Sequence, residues 1–193
     1  LAANDFIDCV RKGKPYFQRN SSVIKLGDFD WVDWIQFVDE HPYKNKSKDI
    51  KLYKKDKQGI ELRDMDQRQS LPKFAKMFIE VLSKQFTKNK VTCIGFCGFT
   101  ENNKSFKIHR DKMDVLYMQI LGTVQLSLWK EFVPSNKLEH ADQSDVECFF
   151  KETMKRGQWL WIPRGTFHLI EPLESRLGFS FGVEGSHDPK TYI

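Results

Sequence analysis

The chain has 193 residues, 40% of them hydrophobic and 13% aromatic, enough to close one sizeable core. Charged residues make up 30% and the formal net charge is +5. No apolar run approaches the roughly 18 residues of a membrane span, which excludes a helical membrane protein. The positive balance is mild, and much of it sits in YKNKSKDIKLYKKDK, residues 43–57, which reads as a solvated loop or hairpin. A nucleic-acid partner therefore has only weak support.

The first ten residues, LAANDFIDCV, lack the basic, apolar and small-residue zones of a signal peptide. The four cysteines form no CxxC, and Cys93 and Cys97 sit in an apolar segment as small hydrophobes. Both features point to a cytoplasmic, intracellular protein.

SSVIKL (21–26) reads as a short strand, and DWVDWIQFVDE (30–40) as a helix that stops before Pro42. Trp31, Trp34, Ile35 and Val38 fall at helical spacing, and the tryptophans are assigned to the core. SLPKFAKMFIEVLSKQF (70–86) is the strongest helix signal. Ser70 is its expected cap, and Leu71, Phe74, Met77, Phe78, Val81 and Leu82 form its apolar stripe.

From residue 91 the pattern becomes eight short β runs: 91–99, 105–109, 114–121, 123–129, 146–151, 158–163, 166–170 and 176–183. The expected architecture is mostly β with flanking helices, a jelly-roll barrel. Residues 1–193 are expected to form a single domain, with a mixed part (1–90) packed on a β core (91–183).

Within FKIHRDKMDVLYMQILG (106–122), His109 and Asp111 stand two residues apart, so both point the same way at a strand end. Two imidazoles and a carboxylate on one face of an octahedron make a 2-His-1-carboxylate Fe(II) site. His168 in WIPRGTFHLI is the candidate third ligand. Four complete predicted strands lie between it and His109, which sets their two strands side by side. The rival pair, His140 and Asp142, is only 25 residues short of His168 and lies in a polar stretch that reads as loop. His41 and His187 read as surface histidines.

In RLGFSFGV (176–183), Arg176, Gly178, Ser180 and Gly182 share one face, and Leu177, Phe179, Phe181 and Val183 the other. Small residues on one face leave room for a ligand. Arg176 is either a buried anion binder, with Ser180 beside it, or an exposed residue at a strand start. Trp159 and Trp161 share a face and are assigned to packing.

HRDKMDVLYMQILG together with RGQWLWIPRGTFHLIEPLESRLGFSFGV resembles the JmjC-type and ribosomal-oxygenase branch of the 2-oxoglutarate and Fe(II) oxygenases, whose fold is a cupin-like double-stranded β-helix. Tyr117, Gln119 and Gly122 fall at the family's offsets from His109, and Gln158 stands where the family usually has Asp. The resemblance covers about residues 91–183. It implies Fe(II) on His109, Asp111 and His168, 2-oxoglutarate and O2 as co-substrates, and Tyr117 and Gln119 as pocket residues.

It also implies decarboxylation to succinate coupled to hydroxylation or demethylation of a protein side chain or another macromolecule, by a monomer or a homodimer. Val124 occupies the position where the family commonly carries the Lys or Arg that binds the far carboxylate of 2-oxoglutarate. Arg176 is the candidate replacement. Two other readings share this fold: a cupin-type dioxygenase or isomerase that does not use 2-oxoglutarate, and a non-catalytic binding module.

Overall fold

The computed structural model describes residues 4–20, 26–40, 50–52, 59–67, 71–100, 108–130 and 147–185. Helix α1 (Asn4–Arg11) was not anticipated from the sequence. Phe6 and Val10, four apart, bury one side of it. Phe6 meets Trp159 and Trp161 edge-on, at ring separations of 5.3 and 5.6 Å. The two tryptophans thus serve packing, as expected.

Helix α2 (Trp31–Asp39) starts at Asp30, whose carboxylate accepts from the amides of Val32 and Asp33 in a reciprocal capping box. Trp34 and Phe37 are its buried residues. Ile35, at helical spacing with Trp31 and Trp34, is 58% exposed, because the contact stripe runs through the i, i+3 pair Trp34 and Phe37.

Helix α3 (Lys73–Gln85) begins after Pro72, and the proposed cap Ser70 lies outside the described residues. Its buried stripe is Phe74, Ala75, Phe78 and Leu82. Met77 and Val81, assigned to the stripe from their spacing, are partly exposed on its flank. A single sheet covers only part of a helix circumference, so an apolar band wider than that contact reaches water.

The strands are β1 (Tyr16–Gln18), β2 (Ile50–Leu52), β3 (Gly59–Leu62), β4 (Lys90–Gly98), β5 (Asp114–Leu121), β6 (Val124–Trp129), β7 (Cys148–Met154), β8 (Trp159–Ile162), β9 (Phe167–Pro172) and β10 (Arg176–Glu184). A seven-stranded sheet runs β1-β8-β5-β10-β4-β3-β2, facing a three-stranded sheet β7-β6-β9, and every pairing is antiparallel. The molecule is mostly β with flanking helices in a jelly-roll of two sheets, the expected class.

Of the lysine-rich stretch 43–57 only residues 50–52 are among the described ones; they form β2, which with β3 extends the edge of the large sheet beside β4. The run expected at 105–109 lies mostly outside the described residues and survives as one isolated antiparallel bridge, His109 to His168. The strand expected at 21–26 lies outside them apart from Leu26, which is buried without regular structure.

β10 shows why two sides of one sheet differ. Leu177, Phe179, Phe181 and Val183 join the core shared with the helices, where Phe78 stacks on Phe181 at 5.5 Å. The opposite face, carrying Arg176, Ser180 and Gly182, lines a cavity. A Cβ on Gly178 would come within 2.1 Å of the Tyr117 hydroxyl, and one on Gly182 within 2.3 Å of Met113 Sδ. These glycines hold space open for side chains arriving from elsewhere.

Candidate active site

A cavity of about 280 Å³ opens beneath the inner face of the large sheet. Its lining includes His109, Asp111 and His168 together with Arg176, Tyr117, Glu61 and Arg63.

The backbone brings the first three together. His109 and His168 exchange amide-to-carbonyl hydrogen bonds of 3.2 and 2.8 Å, so an antiparallel bridge sets the histidines opposite each other. Their rings lie 4.3 Å apart at 57°. Asp111, two residues on, turns its carboxylate to both: Oδ2 is 3.6 Å from His168 Nε2 and Oδ1 4.0 Å from His109 Nε2. One donor atom from each of the three residues falls within 4.8 Å of the others. The donors are two imidazole nitrogens and a carboxylate, facing a cavity with room on the far side. That set fits a divalent iron with open coordination positions. His140 and Asp142 lie outside the described residues.

His168 is buried, while His109 and Asp111 are each about one-third exposed. Its Nδ1 lies 3.1 Å from the Thr166 carbonyl oxygen, which can only accept, so the proton sits on Nδ1 and the Nε2 lone pair points at the cluster. Burial lowers the His168 pKa from its ordinary 6.5, and nearby His109 lowers it further; Asp111 and the Thr166 carbonyl oppose the shift.

The sign for stability follows. An unfolded His168 takes up its proton near pH 6.5, and the folded one only at lower pH, so the metal-free protein loses stability as pH falls through that interval. We expect a lower urea midpoint at pH 5.5 than at pH 7.5, with part of the slope removed in His168→Gln. Equal slopes in parent and variant would refute this assignment.

For Arg176 the structure rules out one of the two readings. It is 1% exposed and lines the cavity, so an exposed strand start is excluded. Its Nη1 donates to the Tyr117 hydroxyl at 3.3 Å, Tyr117 donates to Gln119 Oε1 at 2.7 Å, and Gln119 Nε2 donates to the Leu121 carbonyl at 2.7 Å. Burial raises the Tyr117 pKa and Arg176 partly offsets this, so the phenol stays protonated. The chain of bonds fixes the hydroxyl as donor to Gln119 and acceptor from Arg176.

Gln119, expected to line the pocket, sits behind Tyr117, because its amide is taken up by that relay. Val124 is fully buried in the apolar layer between the sheets, beside Tyr117 and Leu126. A cation there would need a different core. Gln158 takes a turn role: Oε1 accepts from the Lys155 amide at 2.8 Å and Nε2 donates to the Arg19 carbonyl at 2.8 Å.

Glu61 and Arg63 were missed from sequence. Glu61, in β3, and Arg63, just after it, follow the lysine-rich stretch, although the polar–apolar alternation of Glu61, Leu62 and Arg63 was a readable signal. Glu61 is 1% exposed, and its Oε1 lies 2.7 Å from Arg63 Nε. Thr92, Ile94, Phe96, Met113, Val115 and Ile170 complete the lining.

The JmjC domain family profile matches residues 72–190. Among solved structures, the chain is similar to the Escherichia coli ribosomal oxygenase YcfD in complex with cobalt and succinic acid. The TM-score is 0.65 at 12% identity, over 98% of this chain and 53% of that one. The same Escherichia coli protein in complex with cobalt and 2-oxoglutarate gives a TM-score of 0.65 at 11% identity, over 97% of this chain and 52% of that one. At such identities the likeness is one of fold. The chain spans about half the length of these structures. No curated protein matches it in sequence.

Proposed function

The chain belongs to the JmjC domain family, and from that premise we propose that it is an Fe(II)- and 2-oxoglutarate-dependent oxygenase. The observation that carries this reading is one cavity lined both by a two-His, one-carboxylate cluster and by a buried arginine.

Fe(II) held there supplies O2 activation, coupled to conversion of 2-oxoglutarate to succinate and carbon dioxide, with one oxygen atom going to the substrate C–H bond. The protein's own residues do the rest. His109, Asp111 and His168 hold the metal through three positions and leave the others open. His168 is kept neutral by burial and held in one tautomer by Thr166, so it offers a lone pair without first losing a proton. Arg176 binds the far carboxylate of 2-oxoglutarate through its planar fork, oriented by Tyr117, with Ser180 on the same strand face. The apolar side chains of Ile94, Phe96, Met113 and Ile170 limit water around the reacting centre.

The substrate is a protein side chain or another macromolecule. The ribosomal oxygenase to which the fold is similar makes a ribosomal protein the first to test. Residues 1–193 act as one domain, a reading supported by a core cluster that joins Phe6 and Val10 of α1 to Val183 of β10. Among the described residues, no helix is long and apolar enough to cross a membrane.

The deciding assay uses purified protein with Fe(II), ascorbate and labelled 2-oxoglutarate. Succinate should form slowly without substrate and faster with a ribosomal protein extract. Absence of turnover, together with no thermal shift from 2-oxoglutarate, would refute the proposal.

A further inference from the structure

Asp114 lies outside the cluster, yet its contacts lead to it. It opens β5, is 5% exposed, and follows Asp111 by three residues. Its Oδ1 accepts the Arg164 amide proton at 2.8 Å. The next amide, Gly165 N–H, donates to the Asp111 carbonyl at 2.9 Å. Two consecutive amides of the β8–β9 turn are therefore tied to the segment that carries Asp111.

The turn closes with the Thr166 amide on the Pro163 carbonyl at 3.1 Å, and Gly165 takes a left-handed φ of +73°. Thr166 then presents the carbonyl that receives His168 Nδ1. The route from the Asp114 carboxylate to the imidazole is thus two peptide units and two hydrogen bonds long.

We propose that Asp114 is a positioning residue for the metal centre: by holding the 163–166 turn it sets the carbonyl that fixes the tautomer and aim of His168. This role rests on the metal reading above, but its first consequence exists without metal. Without the Asp114 acceptor the part-buried Arg164 amide loses the partner that fixes its direction and has to turn to another acceptor. The turn would then shift, and the Thr166 carbonyl with it. A carboxylate serving only to start a strand would affect stability and leave the His168 ring unchanged. Oδ2 of Asp114 is buried and makes no hydrogen bond among the described residues, so the bond to Arg164 is this side chain's polar anchor.

The test compares Asp114→Asn, which keeps an oxygen acceptor, with Asp114→Ala, which does not. Asp114→Leu, of greater volume and without an acceptor, replaces the alanine variant should that fail to fold. The first readout is the nitrogen-15 spectrum of the His168 ring in metal-free protein. The parent and Asn variants should show one tautomer with the proton on Nδ1, and the Ala or Leu variant a mixture. The second is titration with Co(II) alone, followed by its visible absorption. Affinity should fall about 10- to 100-fold in Ala or Leu, the usual effect of losing an outer partner of a ligand, and stay near the parent in Asn.

An unchanged ring spectrum in Ala or Leu overturns the role of Asp114, whatever the metal does. An Asn variant as impaired as Ala overturns the acceptor argument. Failure of the parent to bind Co(II), with the tautomer change intact, would sink the metal reading and leave the positioning in place.

Discussion

His109→Ala should abolish 2-oxoglutarate turnover, while His140→Ala should leave it unchanged. The cluster offers one donor from each of three residues, and loss of His109 leaves an imidazole and a carboxylate that no longer enclose the metal. Removing an outer partner of a ligand typically costs 10- to 100-fold in affinity or activity; removing a ligand itself should exceed about 100-fold. The measurement is succinate formation at saturating Fe(II), together with Co(II) titration, so that lost metal and lost chemistry are separated. His109 is partly exposed and is held in place through its backbone bridge to His168. The alanine variant should therefore melt close to the parent. If His140→Ala were the inactive variant, the choice between the two His-x-Asp pairs would be reversed.

Arg176→Ala should raise the 2-oxoglutarate requirement sharply and lower the rate little once 2-oxoglutarate saturates. Breaking one side of a buried, hydrogen-bonded charge pair costs about 2–5 kcal/mol, or roughly 30-fold to several thousand-fold in affinity. Arg176→Lys should recover part of it, because a lysine keeps the charge but lacks the planar fork. Tyr117→Phe should cost less than Arg176→Ala, since it removes only the hydroxyl that orients the guanidinium at 3.3 Å. Isothermal titration of 2-oxoglutarate into the Mn(II)-loaded protein reads the affinity directly. An unchanged affinity in Arg176→Ala would transfer the anchor to Arg63, the other arginine that lines the cavity.

The two ends of the site were legible to different degrees. His109 and Asp111 announced themselves because a period-two spacing places both on one side of a strand end, and that geometry is local. Adding His168 needed a strand count across 59 residues, which succeeded because short antiparallel strands with clear breaks order themselves predictably.

Arg176 was ambiguous. A strand start is buried or exposed according to what pairs beside it, and its neighbours Gly98 and Leu121 lie some 55 to 78 residues away in the chain. Glu61 and Arg63 escaped notice because a hairpin in a lysine-rich segment joins the cavity only through its pairing with β4. Gln119 carried the right offset and a different task, since two hydrogen bonds turned its amide away from the cavity.

By itself the sequence determined the elements whose causes are local. These are the Asp30 capping box, the heart of α3, seven of the eight β runs after residue 91, and the two-faced pattern of β10. Capping, helical periodicity and strand alternation act over a few residues, so a linear reading captures them. The tertiary structure alone decided which apolar residues were covered, leaving Ile35, Met77 and Val81 partly in water. It also decided that Arg176, which lines the cavity, was buried, and that Asp114 reached across to the turn before His168. Each of these depends on sheet register, which is set by the sum of many long-range pairings and is encoded in no single stretch of chain.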